Sequence, residues 1–412
     1  MRKDAETLSH PSQFGTMERH VPDHVPADLV FDFEHYSDPT YALDPFGAFD
    51  RVARDAPPIF WSPLLGGFWV VTRFQDVFEV YRDNRLFSSA QIGVPAAVMP
   101  YKLRPLQSDP PEHKSFRRLL EPAFTRQQMQ KWNPRIREIS RELFATFRAR
   151  GECEFIAEFA RFLPNRVFMA LLGLPEENFE TFMRWERALL HGESAQDRMW
   201  GMHAIEDFVA DHFLSRRGAA RTDDLTDFVV HGELDGRLLD EEELKSVGFM
   251  LYIAGLDTVQ AMLGWAFRHL AIRQDDQRAM RGSDEARARG MEEILRMHGI
   301  VASARTVFDD CEFCGVAMKK GDRILCSAAF GNRDPGRNLR GGDSDISVKL
   351  NPHMTFGAGP HLCLGMHLAR NELDIVFQEA FSALPQFRLA KPARMHAGGV
   401  FGVTELQLRW DI

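Results

Sequence analysis

The sequence predicts a mainly α protein with small β-sheets, built as one large unit. Three observations carry that expectation. Apolar residues recur at helical spacing through most of the chain, strand-like runs are confined to two short hairpin patterns, and the stretch that begins at Asp240 stays apolar for about thirty residues. At 412 residues the length would admit two or three domains, yet no Pro/Gly/Ser-rich linker, repeat or low-complexity tract divides it. Residues 1–28 read as a loose polar arm that carries His10, His20 and His24 and lacks the apolar run of a signal peptide or anchor. The folded unit is therefore expected over 29–412.

Composition narrows the class. Hydrophobic residues at 44%, with 33 Phe, can fill a large core, and a charged fraction of 26% suits a soluble enzyme. A net charge of -9 without any basic stripe argues against a nucleic-acid binder. Five scattered cysteines, an odd number, do not make a disulfide framework and fit a soluble protein of a reducing cytoplasm.

Taken in order, Pro58-Ile59-Phe60-Trp61 and Gly67-Phe68-Trp69-Val70-Val71-Thr72 flank Leu64-Leu65-Gly66 as a hairpin. Asp109-Pro110-Pro111-Glu112 opens a helix with proline in its first turn, which places His113 and Arg117 on one face. Helical spacing follows at Leu143–Phe147 and Phe155–Phe159. The long apolar helix starts with a capping-box pattern at Asp240-Glu241-Glu242-Glu243, runs to about Leu270 and would span roughly 45 Å. Its length could pass for a membrane span, but Asp257, Thr258 and Gln260 in mid-segment and the absence of a flanking basic cluster favour a central helix buried by protein. A helical stretch from Asp284 carries Glu293-Ile294-Leu295-Arg296, with the two charges on one face. A second hairpin is expected to turn at Lys319-Lys320-Gly321-Asp322 ahead of Arg323-Ile324-Leu325-Cys326. Cys311 and Cys314 form a CxxC without a second pair, in a context that alternates like a strand, so zinc is the weaker reading. Val376–Phe381 returns to helical spacing.

Two places carry chemistry. Cys363 sits in the glycine-rich string Phe356-Gly357-Ala358-Gly359-Pro360-His361-Leu362-Cys363-Leu364-Gly365, which runs into the helical pattern from Met366. Backbone N–H groups and the positive end of a helix dipole stabilise a thiolate there and poise it to bind metal. Glycines at 357, 359 and 365 let a flat ligand approach the backbone, and Phe356 can shield the sulfur. In the long helix, Ala254-Gly255-Leu256-Asp257-Thr258 places a glycine and two polar side chains in an apolar interior. A helix interrupted at Gly255 would open a groove for a diatomic ligand, with Thr258 and Asp257 relaying protons to it.

These three strings resemble the haem-ligand loop, the oxygen-activation motif and the Glu-x-x-Arg pair of the cytochromes P-450. The resemblance runs from about Leu29 to the end and shares most wording with the soluble bacterial branch typified by camphor-hydroxylating members. It implies a single-domain P-450 fold, with haem b between the long central helix and the helix after the cysteine loop. It implies Cys363 as the iron ligand, with Phe356, Gly357 and Gly365 against the cofactor, and His113, Arg117, Arg305 and His361 as propionate partners. Asp257 and Thr258 would be catalytic, while Glu293 and Arg296 would be structural. The family's further arginine in the meander is replaced here by Val348, and Lys349 or Arg333 is expected to substitute.

By the same resemblance Tyr101, Met250, Ile253, Gly255, Val301, Val400 and Phe401 would line the substrate pocket. Ser303 and Phe401 depart from the camphor-type pattern. The implied activity is a monooxygenase that hydroxylates a small apolar substrate, a terpenoid or norisoprenoid and possibly a ketone. It would use O2 and electrons from a [2Fe-2S] ferredoxin and its reductase, docking near Lys114, Arg117, Arg118 and Arg370, and would act as a monomer away from membranes. A peroxide-dependent haem-thiolate enzyme is the alternative in the same class, although the Asp257–Thr258 pair argues against it, and a non-catalytic haem sensor is the alternative outside it.

Overall fold

The computed structural model describes residues 19–36, 38–95, 102–192, 194–338, 340–348 and 352–412. Helices dominate. Those that frame the site are α1 (Phe74–Arg82), α2 (Glu112–Leu120), α3 (Asn133–Phe147), α4 (Phe162–Leu171), α5 (Phe179–His191), α6 (Ala195–Arg216), α7 (Glu241–Ile272), α8 (Asp284–Met297) and α9 (Met366–Ala383). The principal sheet has five strands, β1 (Ile59–Ser62), β2 (Phe68–Val71), β3 (Phe87–Ser88), β4 (Ala302–Val307) and β5 (Arg323–Ser327), in the order β1-β2-β5-β4-β3.

The long helix α7 begins as its sequence demands. The Asp240 carboxylate accepts the Glu243 N–H at 2.8 Å and Glu243 accepts the Asp240 N–H at 2.9 Å, a reciprocal cap with acidic residues at the positive end of the dipole. Downstream, α7 packs on α4, α6 and the five-residue π-type turn Ile156–Ala160, and it buries Tyr252, Leu263, Trp265, Phe267 and Leu270. It is long and apolar enough to cross a membrane by composition, but most of that stretch is covered by protein, as a central helix should be.

The helix is not interrupted at Gly255, contrary to the sequence expectation; helical structure is continuous from Glu241 to Ile272. A different constraint explains the glycine. A Cβ at position 255 would stand 2.4 Å from the ring of Phe168 on α4, so glycine is the residue that lets the two helices approach.

The first hairpin forms as expected, with Ile59 opposite Val71 and its turn relieved by positive φ at Leu65, Gly66 and Gly67. The second is rearranged. Lys319–Asp322 does turn, but the strand before it, Val316–Met318, pairs with Cys311–Phe313, whereas β5 pairs antiparallel with β4 and parallel with β2. Cys314 and Gly315 make the tight turn of that small hairpin at φ 51° and 78°. This geometry accounts for the CxxC spacing, and no metal-holding cluster occurs among the described residues.

The end of the N-terminal arm is docked. The Trp61 indole N–H donates to the His20 carbonyl at 2.8 Å, His24 meets Asp322 at 2.8 Å, and Val25 is buried.

The meander backbone braces the Glu-x-x-Arg pair. Arg296 is fully buried, pairs with Glu293 at 2.8 Å, and donates to the carbonyls of Asn332, Gly341 and Asp343 at 2.8–2.9 Å. Glu293 in turn accepts the Asp345 N–H at 3.0 Å. The meander backbone thus takes the guanidinium directly. Arg333, expected as a substitute, bonds Asp50 at 2.8 Å and the Met297 carbonyl instead; Val348 is exposed, and Lys349 lies outside the described residues.

Candidate functional site

The Cys363 loop is closed by its own backbone. The Cys363 N–H donates to the Phe356 carbonyl at 2.8 Å, Gly357 donates to Met354, and a short 3-10 turn spans Gly359–His361. Gly357 and Gly359 hold φ at 75° and 67°, where a side chain would be strained. Their surroundings differ. A Cβ on Gly359 would stand 2.8 Å from the backbone of Tyr81 and Arg82, so this glycine packs the loop onto α1. A Cβ on Gly365 would meet nothing within 4 Å, and one on Gly357 only the His361 carbonyl at 3.8 Å, so both look onto open space.

Gly365 is the N-cap of α9, and its amide N–H points back toward the sulfur. Burial pushes the Cys363 thiol pKa up, while the Gly365 N–H, Arg117 and Arg370 act against that rise. The sulfur is crowded by protein atoms and yet its residue is exposed, so Cys363 remains accessible. Ala254 is likewise exposed in the middle of the otherwise enclosed α7. Thr258, one turn on, donates its hydroxyl to the Ala254 carbonyl at 3.1 Å, which holds the side chain along the helix.

A basic cluster lies beside the loop. The rings of His113 on α2 and His361 stand 4.0 Å apart between centroids, and Arg117 donates to the Leu362 carbonyl at 3.0 Å, tying α2 to the loop. Arg305 on β4 is buried, with its guanidinium 5.5 Å above the Tyr81 ring. Burial, aided by Arg117 and Arg305, lowers His113 to about 4 and His361 to about 2. Both imidazoles are therefore neutral near pH 7, so positive charge comes from Arg117 and Arg305 and the histidines supply N–H donors. Both ring nitrogens of His113 and Nε2 of His361 are buried with no hydrogen-bond partner in the protein.

These features fit a haem. Orphaned donors beside two guanidiniums suit a pair of buried carboxylates, the open faces of Gly357 and Gly365 suit a flat ring, and Cys363 supplies a soft thiolate donor. Phe356 lies under Arg370, 4.5 Å from the guanidinium carbon to the ring centre, so it is held beside the loop.

The expected substrate residues divide. Met250 and Ile253 lie on α7, and Val301 and Val400 face each other in an antiparallel bridge. Phe401 does not line a pocket: it has no exposed surface and sits among His35, Phe46 and Phe49, with ring centres 5.2–6.3 Å away. Its neighbour in the bridge, Val400, takes the accessible position because successive side chains alternate. Gly255 is turned to Phe168, as described. Ser303 bonds the Tyr81 hydroxyl at 3.3 Å and the Cys326 carbonyl. Tyr101 lies outside the described residues. Of the basic residues assigned to docking, Lys114 and Arg118 are exposed, whereas Arg370 is engaged with Glu292 at 2.6 Å and Arg117 with the loop and Glu121.

Sequence reasoning missed several buried acids, Glu186 and Glu372 among them. Glu186 on α5 is 5% exposed and accepts from the Asn165 amide at 3.2 Å, and Glu372 on α9 is 2% exposed with Oε2 lacking a partner. Both occur in charged helical runs that look like solvated faces.

A site built from a cysteine loop, a basic cradle and a polar turn of a buried helix defines the haem-thiolate class. The cytochrome P450 family model matches residues 288–392, which include the Glu293–Arg296 pair and the cysteine loop. The probable cytochrome P450 127A1 of Sinorhizobium fredii is 35% identical over 95% of this chain and 97% of its own length. The vitamin D(3) 25-hydroxylase of Pseudonocardia autotrophica is 30% identical over 85% of this chain and 89% of its own. Among solved structures, CYP101J2 superposes with a TM-score of 0.87 at 32% identity, covering 95% of this chain and all of that one; CYP101C1 gives 0.86 at 30%, with the same coverage.

The chain belongs to the cytochrome P450 family. It is a monooxygenase whose cofactor is haem b, held through a cysteine thiolate.

Proposed function

We propose that Cys363 is the haem ligand and that the enzyme hydroxylates a small apolar substrate, a terpenoid or norisoprenoid, possibly a ketone, with electrons from a [2Fe-2S] ferredoxin. The observation that carries the ligand assignment is the closed loop that leaves Cys363 exposed with the Gly365 N–H directed at its sulfur. When bound, haem supplies oxygen activation and insertion into an unactivated C–H bond. The chain's residues do the rest. Arg117, Arg305, His113 and His361 bind the propionates, and Phe356, Gly357 and Gly365 bed the ring. Met250, Ile253, Val301 and Val400 give an apolar wall that excludes water.

Thr258 carries a hydroxyl and Asp257 a carboxyl on one turn of α7, and together they hold and move the protons that oxygen cleavage consumes. This acid and alcohol favour O2 over peroxide as the oxidant. We place ferredoxin docking at exposed Lys114 and Arg118, with Arg117 and Arg370 tied into the structure behind them. Residues 29–412 are read as one haem domain, a cytoplasmic monomer.

The test is the reduced spectrum under carbon monoxide. A thiolate-type red-shifted Soret band that disappears in Cys363→Ser is expected; a histidine-type band insensitive to that substitution overturns the ligand assignment. Spectral titration with camphor-like and ionone-like ketones then tests the substrate class, and the absence of any spin shift with either series overturns it.

A further inference from the structure

Glu292, the neighbour of Glu293 on α8, ties three segments of the chain together around Phe356. Its carboxylate accepts from Arg370 of α9 at two points, Nε at 2.6 Å and Nη2 at 3.0 Å, and from Nε2 of His353 at 2.9 Å. The Thr355 N–H donates to Nδ1 of the same imidazole at 3.4 Å, which leaves Nε2 as the nitrogen that carries the proton toward Glu292. The junction is mostly covered, with the His353 side chain 7% exposed and that of Glu292 20%. Burial works against the charge on Glu292, but His353 and Arg370 outweigh it and hold the carboxyl down at about 2, so it stays ionised. A planar guanidinium gripped at two points keeps one orientation. Here that orientation sets its carbon 4.5 Å from the centre of the Phe356 ring, and the Phe356 carbonyl accepts the Cys363 N–H at 2.8 Å. His353 flanks the same phenyl ring, 6.4 Å between centroids. Contacts therefore run unbroken from the cysteine through the phenyl ring and the guanidinium to the carboxylate on α8.

We propose that Arg370 is a positioning residue that sets the haem reduction potential: gripped by Glu292, it packs the Phe356 ring beside Cys363 and keeps a positive charge at the cysteine loop, part of which Glu292 offsets. This rests on the assignment of Cys363 as the haem ligand. The sign follows from charge. Reduction brings one electron from the ferredoxin to the haem-thiolate centre, with no bond made or broken and no proton moved. A cation nearby favours the reduced form and a carboxylate nearby favours the oxidised form. Loss of the Arg370 charge leaves Glu292 uncompensated and lowers the potential. Loss of the Glu292 charge leaves Arg370 uncompensated and raises it. A purely mechanical role would move both variants the same way, because each breaks the same ion pair.

The test is a redox titration of the substrate-free holoenzyme with dithionite and mediator dyes, read at the Soret band. Arg370→Met should lower the ferrous-to-ferric equilibrium constant about tenfold, which is about 59 mV for a one-electron couple. Glu292→Gln should raise it by a similar factor. Arg370→Lys keeps the charge but not the planar two-point grip, so its potential should stay within about twofold of the parent in the same equilibrium constant. Its haem should nevertheless pass faster to excess apomyoglobin, because the phenyl ring is packed less firmly.

Shifts of the same sign in Arg370→Met and Glu292→Gln, or no shift in either, overturn the proposal. If Arg370→Met does not retain haem, the other two variants decide it: a lowered or unchanged potential in Glu292→Gln, or a tenfold fall in Arg370→Lys, overturns it. The reduced carbon-monoxide spectrum is recorded for every variant, since all keep Cys363. A thiolate-type band with unmoved potentials defeats this proposal alone, whereas a histidine-type band in the parent defeats the haem-ligand assignment beneath it.

Discussion

At the scale of single residues, Gly255 shows how a motif can be read correctly in place and wrongly in cause. Glycine in a helix interior costs about 1 kcal/mol relative to alanine, which made a broken helix a reasonable expectation. The helix is intact, and the cost is offset by contact with Phe168, whose ring leaves no room for a methyl group. Gly255→Ala should therefore destabilise. Overpacking costs about 1–3 kcal/mol and the gain in helix propensity returns about 1. A lower melting temperature is expected, with recovery when Phe168 is shortened to leucine in the same chain; a Gly255→Ala protein more stable than the parent would show that α4 yields freely. The closed loop around Cys363, by contrast, was legible, because loop glycines, aromatic and sulfur lie within ten consecutive residues and need no tertiary information.

At the scale of elements, the junction of α8 with the meander carries a second prediction. Arg296 is one side chain that closes several backbone carbonyls and one carboxylate in a dry interior. Removing it leaves Glu293 charged and buried, together with unpaired carbonyls. Arg296→Met should cost about 3–5 kcal/mol and loosen the segment that leads to the cysteine loop, so lowered haem retention is expected alongside a lower denaturant midpoint. Val348→Arg should do nothing comparable, since the exposed position is no longer needed and surface changes stay within about 0.5 kcal/mol. If Val348→Arg stabilises strongly, the backbone network is not the replacement for the missing arginine. The pair at 293 and 296 was legible as a motif, but its partners were not, because carbonyls more than thirty residues downstream leave no residue-type signal. The same limit hid Glu186: beside Trp185 and Arg187 it reads as the wet edge of an amphipathic helix, and only tertiary packing of α5, chiefly on α6, buries it. The second hairpin failed differently, since the turn at Lys319–Asp322 was right and only strand partnership, a long-range property, was wrong.

At the scale of the whole molecule, the buried ionisable groups oppose one another across pH. His35 is buried among Phe33, Tyr36, Phe49 and Phe401, with neither ring nitrogen bonded, and burial lowers it to about 3; His298, stacked on Phe46 with ring centres 5.0 Å apart, is lowered well below its ordinary value. A histidine depressed by folding contributes stability that is present above its unfolded value near 6.5 and is lost as pH falls toward its folded value. Glu186 and Glu372 have the opposite sign. Burial raises them to about 7 and about 8, so their contribution is present below an unfolded value near 4.5 and is lost as pH rises through 7 to 8. Between about pH 4.5 and 6.5 the two effects oppose each other, so stability should be nearly level there, declining above about 6.5 through the carboxyls and below about 4.5 through the histidines. His35→Phe keeps an aromatic ring in an aromatic pocket and should differ little at pH 7. At pH 5 it should exceed the parent by about 2 kcal/mol, because the parent alone must hold a neutral imidazole against protonation. Glu372→Gln should gain on the parent progressively as pH rises from about 4.5 to about 8. Denaturant unfolding of the holoenzyme at pH 5, 6.5 and 8.5 measures both. Curves for His35→Phe and the parent that run parallel from pH 6.5 to 5 would mean that the histidine finds a proton-accepting partner on acidification, and that the core tolerates its charge.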